Sequence, residues 1–92
     1  MGKRLAILGA GESGIGAAIL AKQKGLEVFV SDGGPIKEHY RLELQSHGIE
    51  YEESQHTRES IFNADEVIKS PGIPESNELV KAIRARGINI IS

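Results

Sequence analysis

The residues with the clearest chemical potential are three glycines and an aspartate. Gly9, Gly11 and Gly14 stand in the order G-x-G-x-x-G within the stretch Leu5-Ala-Ile-Leu-Gly9-Ala-Gly11-Glu12-Ser13-Gly14-Ile15-Gly16. An apolar run leads into them and a helical pattern leads out. A helix start leaves its first backbone N–H groups without internal partners and carries the positive end of the helix dipole. An anion can rest there if nearby side chains are small. The first glycine permits a tight turn, the second lets backbone approach a phosphate, and the third lets helix and strand pack closely. The alternative is a turn whose glycines serve only packing.

Asp32 lies 18 residues after Gly14, at the end of the next apolar run. A carboxylate there suits ribose hydroxyls or an N–H on a base edge; a solvated turn aspartate is the plainer reading. Gly33 and Gly34 follow, either to bring backbone N–H groups near a flat base or merely as a flexible loop. Ser70-Pro71-Gly72 forms a third candidate: Ser70 offers a hydroxyl and Gly72 an unhindered N–H, unless the segment is only structural punctuation.

The remaining polar groups suggest no active site. His39, His47 and His56 lack metal-ligand spacing and read as solvated. Glu52-Glu53 and Asp65-Glu66 read as solvated charge at strand ends away from the glycine turn. The serines have no histidine placed to activate them. No G-x-x-x-x-G-K-[ST] loop is present, so no triphosphate site is evident. No catalytic residue and no metal site is expected.

These groups need a scaffold. Arg4 to Leu8 reads as a central parallel strand and Ser13 to Lys24 as a helix, with Gly14, Ala17, Ala18 and Ala21 on one close-packing face and most of its surface covered. Leu26 to Ser31 reads as a second strand, Ile36 to His47 as a second helix, and Ile49 to Glu52 as a short peripheral strand. Ser54 to Asn63 is loop plus a short helix anchored by Ile61-Phe62. Glu66 to Lys69 is the fourth strand. Ser76 to Arg86 is a helix with Ser76 as its N-cap, and Ile88 to Ile91 is a fifth strand. This alternation predicts an α/β fold, a Rossmann-like five-stranded parallel sheet in the order 3-2-1-4-5 flanked by helices. Ligands bind such sheets at the carboxyl ends of the strands, where the three candidate turns should converge.

Composition narrows the possibilities. Residues 1–92 fit one small domain with a thin stability margin. A formal charge of −2 and the absence of like-charge runs longer than two give no nucleic-acid surface. There is no cysteine, hence no disulfide, thiolate metal site or cysteine nucleophile. No apolar run approaches the ~20 residues that cross a bilayer, and no secretory signal is seen, so a cytoplasmic protein is expected.

Taken together, Gly9-Ala-Gly11-Glu12-Ser13-Gly14, Val28-Phe-Val-Ser31-Asp32, Lys69-Ser70-Pro71-Gly72-Ile73-Pro74 and Gly87-Ile-Asn-Ile-Ile91 resemble the N-terminal domain of a Mur ligase of the D-glutamate-adding kind. The resemblance runs over nearly the whole chain, and Ser-Pro-Gly-Ile is its most specific element. It implies a cytoplasmic, three-domain enzyme that adds D-glutamate to UDP-MurNAc-L-alanine in peptidoglycan synthesis, using ATP and magnesium through an acyl phosphate. This chain would be its excised first domain, inactive alone, holding the UDP part of the substrate. Glu12 and Ser13 would meet the diphosphate, Asp32 and Gly33 the uracil, and Ser70, Pro71 and Gly72 the diphosphate and sugar, with Gly11, Gly14 and Gly34 completing the UDP-binding set. No cofactor would bind this piece; ATP and Mg2+ would bind the full-length enzyme beyond Ser92. Where the family often carries larger polar or basic residues after the aspartate, Gly33 and Gly34 leave the uracil ring uncovered.

Two other readings share the glycine turn. One is the NAD-binding domain of an oxidoreductase, with Asp32 on the adenosine ribose. The other is a self-associating nucleotide-sensing domain, which the scarcity of aromatic residues, two Phe and two Tyr, argues against. A monomer is expected.

Overall fold

The computed structural model describes residues 3–91. Five strands and four helices alternate: β1 (Arg4–Leu8), α1 (Glu12–Gln23), β2 (Glu27–Asp32), α2 (Glu38–Ser46), β3 (Glu50–Glu53), α3 (Arg58–Phe62), β4 (Glu66–Lys69), α4 (Glu78–Ala85) and β5 (Asn89–Ile91). The strands form one sheet in the order β3-β2-β1-β4-β5, with every neighbouring pair parallel. The expected strand order and helix-flanked architecture are therefore present.

The pattern of side chains explains the layers. Successive residues of a strand point to opposite faces, and β1 is buried on both. Leu5 and Ile7 join Val28, Val30, Ile15, Ala18, Ala21 and Leu44 in one core, under α1 and α2. Ala6 and Leu8 join Phe29, Val67, Ile61, Leu79, Val80 and Ile83 in the other, under α3 and α4. Ile61 anchors the short α3, as its isolation in a polar segment predicts.

Three details differ from the sequence reading. Leu20 is 54% exposed, so α1 turns one apolar residue to solvent and is less covered than expected. The last helix starts one turn-residue later: Asn77, not Ser76, is the N-cap, its Oδ1 accepting from Leu79 N at 2.8 Å and Val80 N at 3.2 Å. Ile36 lies before α2 rather than on its stripe, yet is buried. The two turns at Pro71 and Pro74 absorb the chain between β4 and α4, because proline lacks the N–H a regular element needs.

Since all strands run the same way, their carboxyl ends share one edge. Leu8, Asp32, Glu53 and Lys69 all end there.

Candidate functional site

Backbone bonds bring the three turns together on that edge. Gly9 N donates to Ser31 O at 2.9 Å, and Ser70 N donates to Leu8 O at 3.0 Å. The β1–α1 turn is thus tied to β2 on one side and to the β4 turn on the other. Gly9 has φ +101°, a left-handed conformation that favours glycine, and a Cβ there would stand 2.9 Å from Ser70 Cβ. The first glycine is needed because the Ser70 turn closes on it.

The other two glycines have different reasons. A Cβ on Gly14 would lie 2.0 Å from Gly9 O, so the third glycine sets how closely α1 docks. A Cβ on Gly11 would meet nothing within 4 Å, and its φ of −85° suits any residue. Nothing within the described residues demands glycine at position 11.

Gly11 is the N-cap of α1 and provides no side-chain cap. The N–H of Ile15 is taken by Gly11 O at 2.9 Å, while those of Gly11, Glu12, Ser13 and Gly14 meet no acceptor among the described residues. Such groups are unpaired by helix geometry itself. Glu12 and Ser13 are exposed. Beside them opens a cleft of about 270 Å³ lined by Ile7, Leu8, Ser13, Gly14, Ile68, Lys69, Ser70 and Pro71. The Ser70 turn folds on itself: Ser70 Oγ accepts from Gly72 N at a loose 3.3 Å, and Ser70 O accepts from Ile73 N at 3.0 Å. Gly72 N–H is therefore weakly engaged, not wholly free.

Asp32 is partly buried and uses both carboxylate oxygens on the backbone. Oδ2 accepts from Ala10 N at 2.8 Å and Oδ1 from Gly34 N at 2.9 Å. It joins the glycine turn to its own loop, and each oxygen keeps a lone pair. Gly34 O also accepts from Ser54 N at 3.0 Å, so this loop is held rather than free. Gly33 N–H has no acceptor among the described residues.

Behind that loop lies a polar network that the sequence reading placed in solvent. Asp32 pairs in register with Glu53, which brings the acidic pair to the same edge as the glycine turn. Glu52 Oε2 accepts from Ser31 Oγ at 2.8 Å and Thr57 N at 2.7 Å, and its Oε1 from Thr57 Oγ1 at 2.6 Å. Burial pushes the Glu52 carboxyl up. The Thr57 hydroxyl and amide, the Ser31 hydroxyl and the nearby His56 together outweigh it and hold the group below the usual 4.5. Glu53 Oε1 accepts from Ile36 N at 2.8 Å. His56 Nδ1 lies 2.6 Å from the fully buried Ser31 Oγ. The solvated readings of Glu52, Glu53 and His56 are therefore overturned. His39, His47 and Asp65 are exposed, as expected. The parallel strand order was the available signal, since it sends β3's acidic end to this edge.

Lys69 was read only as a strand end. It is 5% exposed, following Val67 on the α3–α4 face, and Nζ donates to Ile73 O at 2.8 Å with Glu75 Oε2 3.8 Å away. Glu75 in turn holds Arg84 by contacts of 2.7 and 3.1 Å. A buried ammonium thus clamps the turn that carries Ser70, Pro71 and Gly72.

The described residues contain no cluster of three or more His, Cys, Asp or Glu suited to a metal ion. No helix among them is long and apolar enough to cross a membrane.

Comparison with known proteins agrees with this geometry. The chain is 59% identical to UDP-N-acetylmuramoylalanine–D-glutamate ligase of Bacteroides thetaiotaomicron over 90 residues, covering 98% of this chain and 20% of that protein. It is 50% identical to the ligase of the same name from Christiangramia forsetii over 92 residues, covering all of this chain and 21% of that protein. The chain thus spans about a fifth of the length of the curated relatives it matches. Among solved structures it resembles UDP-N-acetylmuramate:L-alanyl-gamma-D-glutamyl-meso-diaminopimelate ligase from Neisseria meningitides, with a TM-score of 0.83 and 26% identity over the whole chain and 29% of that one. A family model described as the MurD N-terminal domain matches residues 4–79, and the glycine turn, Asp32 and the Ser70–Gly72 turn all fall inside it. This chain belongs to the MurD N-terminal domain family of the Mur ligases.

Proposed function

We propose that this chain is the UDP-binding N-terminal domain of a ligase that adds D-glutamate to UDP-MurNAc-L-alanine. The observation that carries the reading is the set of four unpaired N–H groups from Gly11 to Gly14 around a glycine that the fold does not require. Unpaired donors at a helix start suit a diphosphate. An open Gly11 leaves room for its oxygens to approach backbone. Ser13 and Ser70 add hydroxyls to the adjoining cleft, which Pro71 also lines, and Gly72 follows in the same turn. Asp32, Gly33 and Gly34 would then meet the base, and the relatives named UDP-N-acetylmuramoylalanine–D-glutamate ligase support UDP as the nucleotide.

On this reading the chain binds and orients; it performs no bond chemistry. Its residues do not fit ATP or Mg2+, having no phosphate-loop lysine and no carboxylate cluster among those described. ATP and Mg2+ would serve the remaining domains of a three-domain enzyme, where they would activate the substrate carboxyl. The substrate places the activity in cytoplasmic peptidoglycan precursor synthesis.

Titration of 15N-labelled protein with UDP and with NAD tests the reading. UDP should shift the amides of Gly11 to Gly14, Gly33 and Gly72 at millimolar concentration, and NAD should bind more weakly. Still amides, or tighter binding of NAD, would refute it.

A further inference from the structure

Gly33 and Gly34 carry no side chain to border a base, yet the space beside Gly33 is filled. A Cβ on Gly33 would stand 3.1 Å from His56 Nε2. The imidazole comes from a loop 23 residues further along the chain and borders the place that a side chain at position 33 would take.

The hydrogen bonds fix what that ring presents. Ser31 Oγ has one hydrogen and three polar neighbours: Glu52 Oε2 at 2.8 Å, Gln55 O at 3.2 Å and His56 Nδ1 at 2.6 Å. A carboxylate and a carbonyl can only accept. The hydroxyl hydrogen therefore goes to an oxygen, with Glu52 the nearer, and His56 Nδ1 must donate to Ser31. In the neutral ring this leaves Nε2 as a bare acceptor next to Gly33. Each Asp32 oxygen already holds a backbone amide, from Ala10 or Gly34. Among the described residues neither the Gly33 N–H nor His56 Nε2 has a partner of its own.

We infer that His56 is a specificity-determining residue of the nucleotide site, forming with Gly33 N–H a donor–acceptor pair that reads the adjacent C=O and N–H of a uracil ring. This rests on the UDP-binding reading above and deepens it. Ser31, Glu52 and Thr57 are its supports, holding the ring in one tautomer and one orientation. A side chain at position 33 would crowd the His56 ring, which would have to give by a few tenths of an ångström.

The test separates base from phosphate. In the wild-type chain, the His56 imidazole nitrogens are followed by 15N NMR during titration with UDP and, separately, with inorganic pyrophosphate. UDP should move the Nε2 resonance and pyrophosphate should not. In His56→Ala the affinity for UDP should fall about fivefold, the loss of one neutral hydrogen bond, while pyrophosphate binding is unchanged. UDP binding that leaves Nε2 unmoved would overturn the role of His56 while leaving the UDP-binding reading intact. So would an unchanged ratio of UDP to pyrophosphate affinity in His56→Ala. Failure of the wild-type chain to bind either ligand would bring down both.

Discussion

Asp32 Oδ2 accepts the Ala10 amide at 2.8 Å, binding the end of β2 to the glycine turn 22 residues before it. The same carboxylate holds Gly34 N at 2.9 Å. One side chain therefore sets the spacing between the segment that would receive phosphate and the segment that would receive a base. Removing it in Asp32→Ala leaves a buried Ala10 with an unpaired N–H and should cost about 2 kcal/mol in urea unfolding, the usual worth of a hydrogen bond to a charged group. Amide exchange at Ala10 and Gly34 should quicken in the same variant, with little change in the core strands.

The glycines should separate by role. Gly14→Ala drives a methyl to within 2.0 Å of Gly9 O and should destabilise by about 3 kcal/mol, because backbone on both sides must shift. Gly11→Ala meets nothing within 4 Å and should hold or raise stability by less than about 1 kcal/mol. Yet on the proposed reading it should weaken UDP binding, since its methyl would take up room that a diphosphate needs to approach the Gly11 backbone. Paired denaturation and titration curves check both halves.

Glu52 gives the acid limb of stability. Its folded pKa lies below the unfolded 4.5, so its contribution is complete above pH 4.5 and is lost as pH falls through the folded value. Glu52→Gln cannot ionise and should flatten that loss. Stability measured between about pH 3 and 6 should show a shallower slope in the variant than in the wild-type chain.

Asn77 offers a simple control away from the site. Asn77→Ala removes the acceptor for Leu79 N and Val80 N and should cost about 1 kcal/mol by thermal or urea unfolding. UDP binding should be unaffected, because the cap touches none of the three rim turns.

Much of this molecule is written along the chain. The alternation of Leu5 and Ile7 against Ala6 and Leu8, the glycine stops and the strand–helix rhythm fix the layers and the sheet, since each depends on neighbours within a few residues. That the glycine turn and the Ser70–Gly72 turn meet at one edge was legible for the same reason: parallel strands must end together. Partners across the sheet were not legible. Glu52 and His56 look like ordinary solvated residues in sequence and Lys69 like a plain strand end; only the register of β3 on β2 engages the first two, and only the return of the 70–75 turn gives the buried Lys69 its partner. Hydrophobic period decides which face a residue takes. It carries no information about which polar group will stand beside it, because that neighbour comes from a distant strand whose lateral placement only the folded chain sets.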